Sequence, residues 1–515
     1  MAREHLSVFL NAGGGAFPVN PSWQSADIDY HGRLDVGDVN GDGWPDVAVS
    51  VFLGAGGFGT PGYVKLYLNN QGTLSSVPSW TSTDQFNTFS CAFGDVDNDG
   101  DLDLVAAGGD PYQSGPAPSR IYFNQGGTLQ TTPGWISSVV DNALDAIWCD
   151  VDLDGDLDLV TAGVFGPSHL YRNTGGVLAT TPAWSSTDGV ATNYAIKLAC
   201  GDIDGDGLPD LFASNNSQFG GAGTFRCYRN LGGTFTTTPS WESSQFHQGY
   251  SDSVALLDFD LDGDLDLVVT GWWTPTAVFR NSGGTFPLSP TWESADTAVG
   301  DDLFFGDANG DGLRVTTGES KAVNGSRKLF GFAHGPVQSL QQVVADGVPV
   351  PPTGYAFHRE RGELTLAQAP QNSLLVSYTW SEGVDIGVPG WESTEGTYVY
   401  NRDPLFKITL TPPPFAAYQA GGTIVWTETL ANTAANWQPV LYQSELEFPN
   451  AILTFVMRQG AVVMPPALVL ANWPQYINVP SPMPAALLGT YHYRVRASGP
   501  TGTVMSSGSY TVQLY

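Results

Sequence analysis

The sequence predicts an all-β chain: a six-bladed β-propeller (seven-bladed in the alternative) of four-stranded blades, with a small β insertion, followed by an immunoglobulin-like β-sandwich. Three observations predict it. An acidic motif recurs six times at near-constant spacing. Strand-like runs and Gly-rich turns repeat in step with it. No segment carries a helical period.

The N-terminus comes first. SVFLNAGGGAFPVNPSWQS, from Ser7 to Ser25, reads as the back half of a repeat without its front half. Such a fragment completes the last blade of many propellers, so that no sheet edge stays open. The full units follow. DVNGDGWPD begins at Asp38, DVDNDGDLD at Asp95, DVDLDGDLD at Asp150, DIDGDGLPD at Asp202 and DFDLDGDLD at Asp258. A truncated copy, DANGDGLRV, begins at Asp307, and successive starts lie 57, 55, 52, 56 and 49 residues apart. An apolar stretch precedes each motif and a strand-like run such as DVAVS or DLVVTG follows it. After a variable gap come an alternating strand (VKLYLN, RIYFN, HLYRN, FRCYRN, AVFRN) and a turn built on Gly pairs, which supply the positive φ of a hairpin. Each unit closes on Pro-x-Trp-x-Ser or a near variant, with tryptophans at 80, 135, 184, 241 and 292, read as core or inter-blade packing. Four short antiparallel strands per unit make a propeller blade. Six motifs predict six blades, and a motif-free blade downstream would make seven.

The sixth unit is irregular. Arg314-Val315 replaces the expected Pro-Asp, and about 70 residues pass before VDIGVPGW and TYVYN resume the pattern. The intervening stretch, 316–383, alternates in its own right and is read as a β insertion within the last blade. Asp385 then returns the missing ninth-position carboxylate, unless the sixth site has decayed. These boundaries give a propeller over 1–402, closed by the N-terminal strands, and a sandwich over 403–515. The sandwich reading rests on strand-like runs (FKITL, TIVWTETL, LTFVM, YHYRVRAS, SYTVQLY) separated by Pro, Gly and Asn turns, without the Cys-Trp-Cys landmark.

Composition narrows the function. The chain has 515 residues, 62 of them Gly and 35 Pro, yet 42% is hydrophobic, which argues against disorder. With 51 acidic residues against 20 basic ones, its net charge of −31 makes nucleic acid a poor partner. Four cysteines are too few for a disulfide framework, and Cys91, Cys149 and Cys200, on apolar runs just before motifs, read as buried free thiols. MAREHLSVFL lacks the apolar run of a signal peptide, and Arg458, Pro465 and Pro466 break the longest apolar region near the C-terminus, so no membrane insertion is expected.

The acids are concentrated in the motif. Carboxylates at its positions 1, 3, 5 and 9 aim hard oxygens at one point, and the Gly at position 6 allows the bend. Six to eight oxygens at about 2.3–2.6 Å suit Ca²⁺ better than Mg²⁺. The loop starts like an EF-hand, but Val49 stands at position 12 of the first copy and strands flank it. The predicted ligands are Asp38, Asn40, Asp42 and Asp46; Asp95, Asp97, Asp99 and Asp103; Asp150, Asp152, Asp154 and Asp158; Asp202, Asp204, Asp206 and Asp210; Asp258, Asp260, Asp262 and Asp266; and, in the sixth copy, Asp307, Asn309, Asp311 and Asp385. Motif positions hold 21 of the 51 acids, and six Ca²⁺ would move the net charge from −31 to about −19. A solvated acidic turn needs neither the fixed spacing nor the Gly.

These motifs resemble the FG-GAP or VCBS repeat family, to which the integrin α-subunit propeller belongs. The resemblance covers residues 5 to 402. It implies Ca²⁺ in each loop, rigid blades, and a ring used for adhesion or ligand binding at a cell surface or outside the cell. Val315 departs from the pattern.

Catalytic motifs are sparse. None of the seven histidines falls in HExxH, and no GxSxG or phosphate-cradling loop occurs. His31, His169 and His247 read as structural or solvated. A full carboxylate set leaves a metal little open coordination, so the Ca²⁺ sites are expected to be structural rather than catalytic. Trp272 and Trp273 stand apart, since GWWTPTA occurs only in the fifth unit, where they either pack or contact a ligand. The sequence thus predicts a secreted or surface calcium-binding propeller without catalytic activity, whose partner is a glycan or a surface protein. The alternatives are a structural subunit that self-assembles into a filament or coat, and a polysaccharide-acting enzyme.

Overall fold

The computed structural model describes the chain except for residues 1–3, 12–16, 58, 110–114, 188–193, 261, 296, 308–312, 333, 360, 382–384 and 389–397; from 398 onward it describes the strand backbones alone. Among the described residues there is no α-helix, only two 3₁₀ turns at Ser217–Phe219 and Pro352–Gly354. The chain divides into two compact units, one of residues 1–259 and 264–401 and the other of residues 260–263 and 402–515.

The first unit is a β-propeller. Its repeat is clearest in unit one, where Tyr30–Gly37, Asp46–Leu53, Tyr63–Tyr67 and Trp80–Thr81 pair in sequence order as an antiparallel sheet. Units two to five repeat this path, starting at Cys91–Gly94, Asn142–Cys149, Leu198–Gly201 and Ser251–Leu257. The second strand explains the near-continuous apolar runs of the sequence. Every residue of Asp46–Leu53, Asp103–Ala106 and Asp158–Val164 is buried, because the sheet is covered on both faces by its neighbours. The cores are accordingly shared between units. One contains Ala48, Val64 and Leu66 with Phe93, Leu104 and Tyr122, and another joins Val268 and Val278 to Ile386 and Val388.

The tryptophans pack across these seams. Trp80 meets Tyr122 of the next unit edge-on at 5.3 Å, Trp135 meets Tyr171 at 5.4 Å, and Trp184 meets Tyr228 at 5.8 Å. Trp23 stands in the same relation to Tyr67, at 5.7 Å. The N-terminal pair Ser7–Val8 and Trp23–Gln24 therefore holds the slot before unit one, packed with Leu34, Val47 and Val49. Among the described pairings, its strands pair only with each other.

The last sheet has three strands, Phe304–Gly306, Asp385–Val388 and Tyr398–Tyr400. Between the first two lies an insertion with two sheets of its own. One is led by Leu313–Lys321 and Leu374–Ser381, and the other by Leu329–Gly331 and Glu363–Leu366. Phe330, Val343, Leu364, Leu366, Leu374 and Val376 form its core.

The thiol reading needs correcting. Cys149 and Cys200 form a disulfide, with Cα atoms 6.5 Å apart, while Cys91 and Cys227 are free and buried. Each bonded cysteine ends, or nearly ends, the first strand of its unit. The ring sets these strand ends side by side although 51 residues separate them, which no local reading of the sequence shows.

The second unit is also all-β. Phe406–Thr411, Thr423–Asn432 and Val469–Asn478 form one sheet, and Ala417–Tyr418, Val504–Leu514, Gly489–Ser498, Gln438–Glu447 and Thr454–Met464 form the other. Gln438–Glu447 and Val469–Asn478 are strands that the sequence reading did not single out.

Candidate metal centres

Each of the first five acidic motifs turns the chain from the first strand of its sheet into the second. Local hydrogen bonds shape the first four turns in the same way. The position-6 amide donates to the position-1 carboxylate: Gly43 to Asp38 at 2.7 Å, Gly100 to Asp95 at 2.9 Å, Gly155 to Asp150 at 3.1 Å and Gly207 to Asp202 at 2.9 Å. The position-7 amide donates to the position-5 carboxylate, as Trp44 does to Asp42 and Leu208 to Asp206. Position 6 has φ between +88° and +101° in Gly43, Gly100, Gly155, Gly207 and Gly263, a region that a side chain would strain.

This turn gathers carboxylates. Oxygens of Asp95, Asp97 and Asp99 lie within 4.8 Å of one another, as do those of Asp150, Asp152 and Asp154, of Asp202, Asp204 and Asp206, and of Asp258, Asp260 and Asp262. In the first loop Asn40 takes the middle place, accepting from the Asp42 amide at 3.0 Å. Burial lifts Asp95, Asp97, Asp99, Asp150 and Asp154, and neighbouring carboxylates lift them further, taking Asp95 to about 8 and Asp150 to about 7. Asp150 Oδ1 is buried without a hydrogen-bond partner. A set of hard oxygens that repel one another, one of them orphaned, fits a divalent cation and suits Ca²⁺.

The ninth-position carboxylates stand at the foot of the loop. Asp103 accepts from the Val96 amide at 3.0 Å and from the Asn124 amide at 2.7 Å; Asp46, Asp158 and Asp266 repeat the pattern through Asn69, Asn173 and Asn281. Asp210 accepts from the Asn230 amide and from Arg229. Each ninth-position Asp is paired in register with the residue just before its motif: Asp46 with Gly37, Asp103 with Gly94, Asp158 with Cys149, Asp210 with Gly201 and Asp266 with Leu257. Asp385 pairs with Gly306, the residue just before Asp307, and so takes this same register across the insertion. Asn309 and Asp311 lie outside the described residues.

Two sets of residues at these centres escaped the sequence reading. In units two to five, the asparagine two residues past the third strand clamps neighbouring units together. Asn124 Nδ2 donates to Val39 O in the preceding loop at 2.8 Å, Asn173 to Val96 O at 2.7 Å, Asn230 to Val151 O at 2.8 Å and Asn281 to Ile203 O at 2.7 Å. The signal is present as the recurrent Asn in RIYFN, HLYRN, FRCYRN and AVFRN. The second set is basic. Arg172 bridges Asp152 and Asp158, and Arg229 bridges Asp204 and Asp210 at 2.6 and 2.8 Å, so loops three and four carry a built-in countercharge. Leu68 and Phe123 stand there in units one and two.

The insertion lies on the first three loops. Lys328 Nζ donates to Asn98 O at 2.6 Å, a Cβ on Gly100 would come within 2.6 Å of the Ala367 Cβ, and a Cβ on Gly155 would meet Arg327 at 3.4 Å. His358 Nε2 reaches Asp35 at 3.1 Å, and Thr353 sits over Gly41.

A model of the FG-GAP-like repeat matches residues 51–106, 150–213, 202–269 and 258–314. These matches give the chain four FG-GAP-like repeats, consistent with an FG-GAP repeat propeller. The FG-GAP matches span the inner hairpins just described, including the loops at Asp150, Asp202, Asp258 and Asp307. No curated protein matches the chain. Likeness to solved structures is slight. Alkylpurine DNA glycosylase AlkC of Pseudomonas fluorescens is 16% identical with a TM-score of 0.18, over 22% of this chain and 31% of that one. A β-glucosidase from Listeria innocua is 12% identical (TM-score 0.16, over 21% and 16%), and the sporulation control protein Spo0M of Bacillus subtilis 13% identical (TM-score 0.17, over 21% and 49%). The chain thus spans less than half the length of each, and such likeness carries no argument.

The remaining candidates separate. Trp272 is buried, 6% exposed, and its indole N–H is held between Asp252 and Asp301, which removes its ring from any surface ligand. Trp273 is 49% exposed at φ +55°. His169 is buried between Ser185 and Asp141, His31 is largely buried, and His247 pairs with Glu293.

Proposed function

We propose that the chain is a calcium-binding FG-GAP propeller that works outside the cell or on its surface as a non-catalytic recognition module. The observation that carries this reading is the Asp triplet repeated at one position of successive inner hairpins. Ca²⁺ in the loops would be held by positions 1, 3 and 5, with position 9 offering its remaining lone pairs, and it would supply fixed positive charge that locks each hairpin. Asp385 would complete the sixth site with Asp307, Asn309 and Asp311. The Cys149–Cys200 bond supports an oxidising compartment, and among the described residues no helix is long and apolar enough to cross a membrane.

The insertion on loops one to three leaves the opposite end of the ring, with its variable strand-to-strand connections, for a glycan or protein partner. The second unit, read as an immunoglobulin-like sandwich, would be its spacer. Calorimetric titration of EGTA-stripped protein with Ca²⁺ tests the reading: five or six equivalents are expected, and failure to bind Ca²⁺ overturns it. Ordered self-association on calcium addition would favour the structural-subunit alternative.

A further inference from the structure

Far from the metal loops, the first strands bring a second set of charges to the ring axis. Arg33 comes from unit one, Asp145 from unit three, Lys197 from the lead into unit four, Asp252 from unit five, and Asp301 and Asp302 from the lead into the last sheet. Asp252 lies six residues before Asp258, which on an extended strand is about 20 Å from the fifth loop.

The set mixes two cations with four carboxyls. Arg33 Nη1 stands 3.5 Å from Asp145 and donates to Leu144 O and Ile196 O, and Lys197 pairs with Asp302 at 3.0 Å. Trp272 Nε1 bridges the other two carboxyls, 3.1 Å from Asp252 and 2.7 Å from Asp301. Burial raises both of them, Asp252 well above the usual range.

The set is also incompletely bonded. Arg33 Nε and Asp252 Oδ1 are buried with no hydrogen-bond partner, and the nearest approach of these two side chains is 3.9 Å, beyond hydrogen-bond reach. Thr270 Oγ1 is a third orphan. Buried donors and acceptors left open in this way ask for a guest that can both donate and accept. Asp301, Asp302 and Lys197 remain partly exposed and give access from solvent. Beside them stands an aromatic wall: Trp273 edge-on to Tyr250 at 5.6 Å, with Tyr250 stacked on Trp272.

We propose that this axial cluster is a saccharide-binding site, in which Trp273 and Tyr250 pack against a neutral sugar whose hydroxyls complete the bonding of Arg33, Asp252 and Asp301. Two cations among the acids oppose a metal ion, and the acids oppose a phosphate or carboxylate. A neutral polyol has paired donors and acceptors and apolar C–H faces, which is the complement of what stands there. Trp272 acts as a positioning residue, holding the two carboxyls through its N–H. The proposal rests on the recognition reading and narrows it to one ligand class and one end of the ring.

The test uses the full calcium-loaded chain on an array of neutral and acidic glycans, followed by calorimetric titration with the best neutral oligosaccharide. Trp273→Ala should weaken binding about tenfold, and Asp301→Asn or Lys197→Ala by about tenfold or more. Phe17→Ala, an exposed aromatic elsewhere, should leave it unchanged, with calcium-dependent melting as the control for folding. Saccharide binding that survives all three site variants would overturn the site and leave recognition standing. Absence of neutral-saccharide binding would overturn the proposal, and capture of a protein ligand instead would keep only the broader reading.

Discussion

At the scale of the residue, two side chains carry consequences that the acidic motif overshadows. His31 is largely buried on the first strand of unit one, its Nε2 without a partner, and burial with Lys65 nearby lowers it to about 4. The unfolded chain protonates it near its ordinary 6.5, so the native state gains from a neutral His31 above that pH and loses the gain as pH falls from 6.5 towards 4. The loss amounts to at most about 3 kcal/mol. Denaturant melts at pH 7 and pH 4.5 should show it, and His31→Gln should flatten the difference; an unchanged pH profile would remove His31 from the account. Asn173 is the second. Its side chain donates to Val96 O and Leu157 O, and Asn173→Ala leaves both carbonyls buried and unpaired. That should cost about 1–3 kcal/mol in denaturant melts, whereas a surface asparagine would cost almost nothing.

At the scale of the element, the inner hairpin was legible and the contacts between hairpins were not. Fixed spacing, a required Gly and flanking apolar runs are local signals, and the loops at Asp95, Asp150, Asp202 and Asp258 stand where the motif placed them. Arg172 and Arg229 were not legible as countercharges, because their partners depend on how the third strand folds back over the loop. Nor was the seat of the insertion. Alternation in 316–383 signalled strands, but the approach of Lys328 to Asn98 joins residues 230 positions apart. This approach makes the insertion a reporter of calcium. Chelation frees the carboxylates of the second and third loops to repel one another, which should loosen the surface on which Arg327 and Lys328 sit. EGTA should therefore speed proteolysis within the insertion before the ring opens, and Ca²⁺ should restore protection. Cleavage rates that ignore calcium would show the two to be uncoupled.

For the whole molecule, the repeat period dictated a ring, and the ring then set features that no single repeat contains. Trp23 takes the place of a seam tryptophan against Tyr67, although it lies outside the motif repeats. The Cys149–Cys200 bond follows from neighbouring units standing side by side, whereas the sequence shows three cysteines on apolar runs and nothing that pairs two of them. The bond spans 51 residues, so its loss should lower stability by about 2–4 kcal/mol. A melt of the Cys149→Ser, Cys200→Ser protein against the parent measures this, and equal midpoints would count against the bond. The insertion has a simpler consequence. Leu313 is paired with Ser381, and Gly306 with Asp385, so the chain departs from the blade and rejoins it at nearly one point. To the ring it is a detachable module. Splicing it out so that Asp385 falls eight residues after Asp307 would regenerate an unbroken sixth repeat, and the shortened chain should still close. The three loops that now lie beneath it would then meet solvent, open to whatever the intact protein keeps from them.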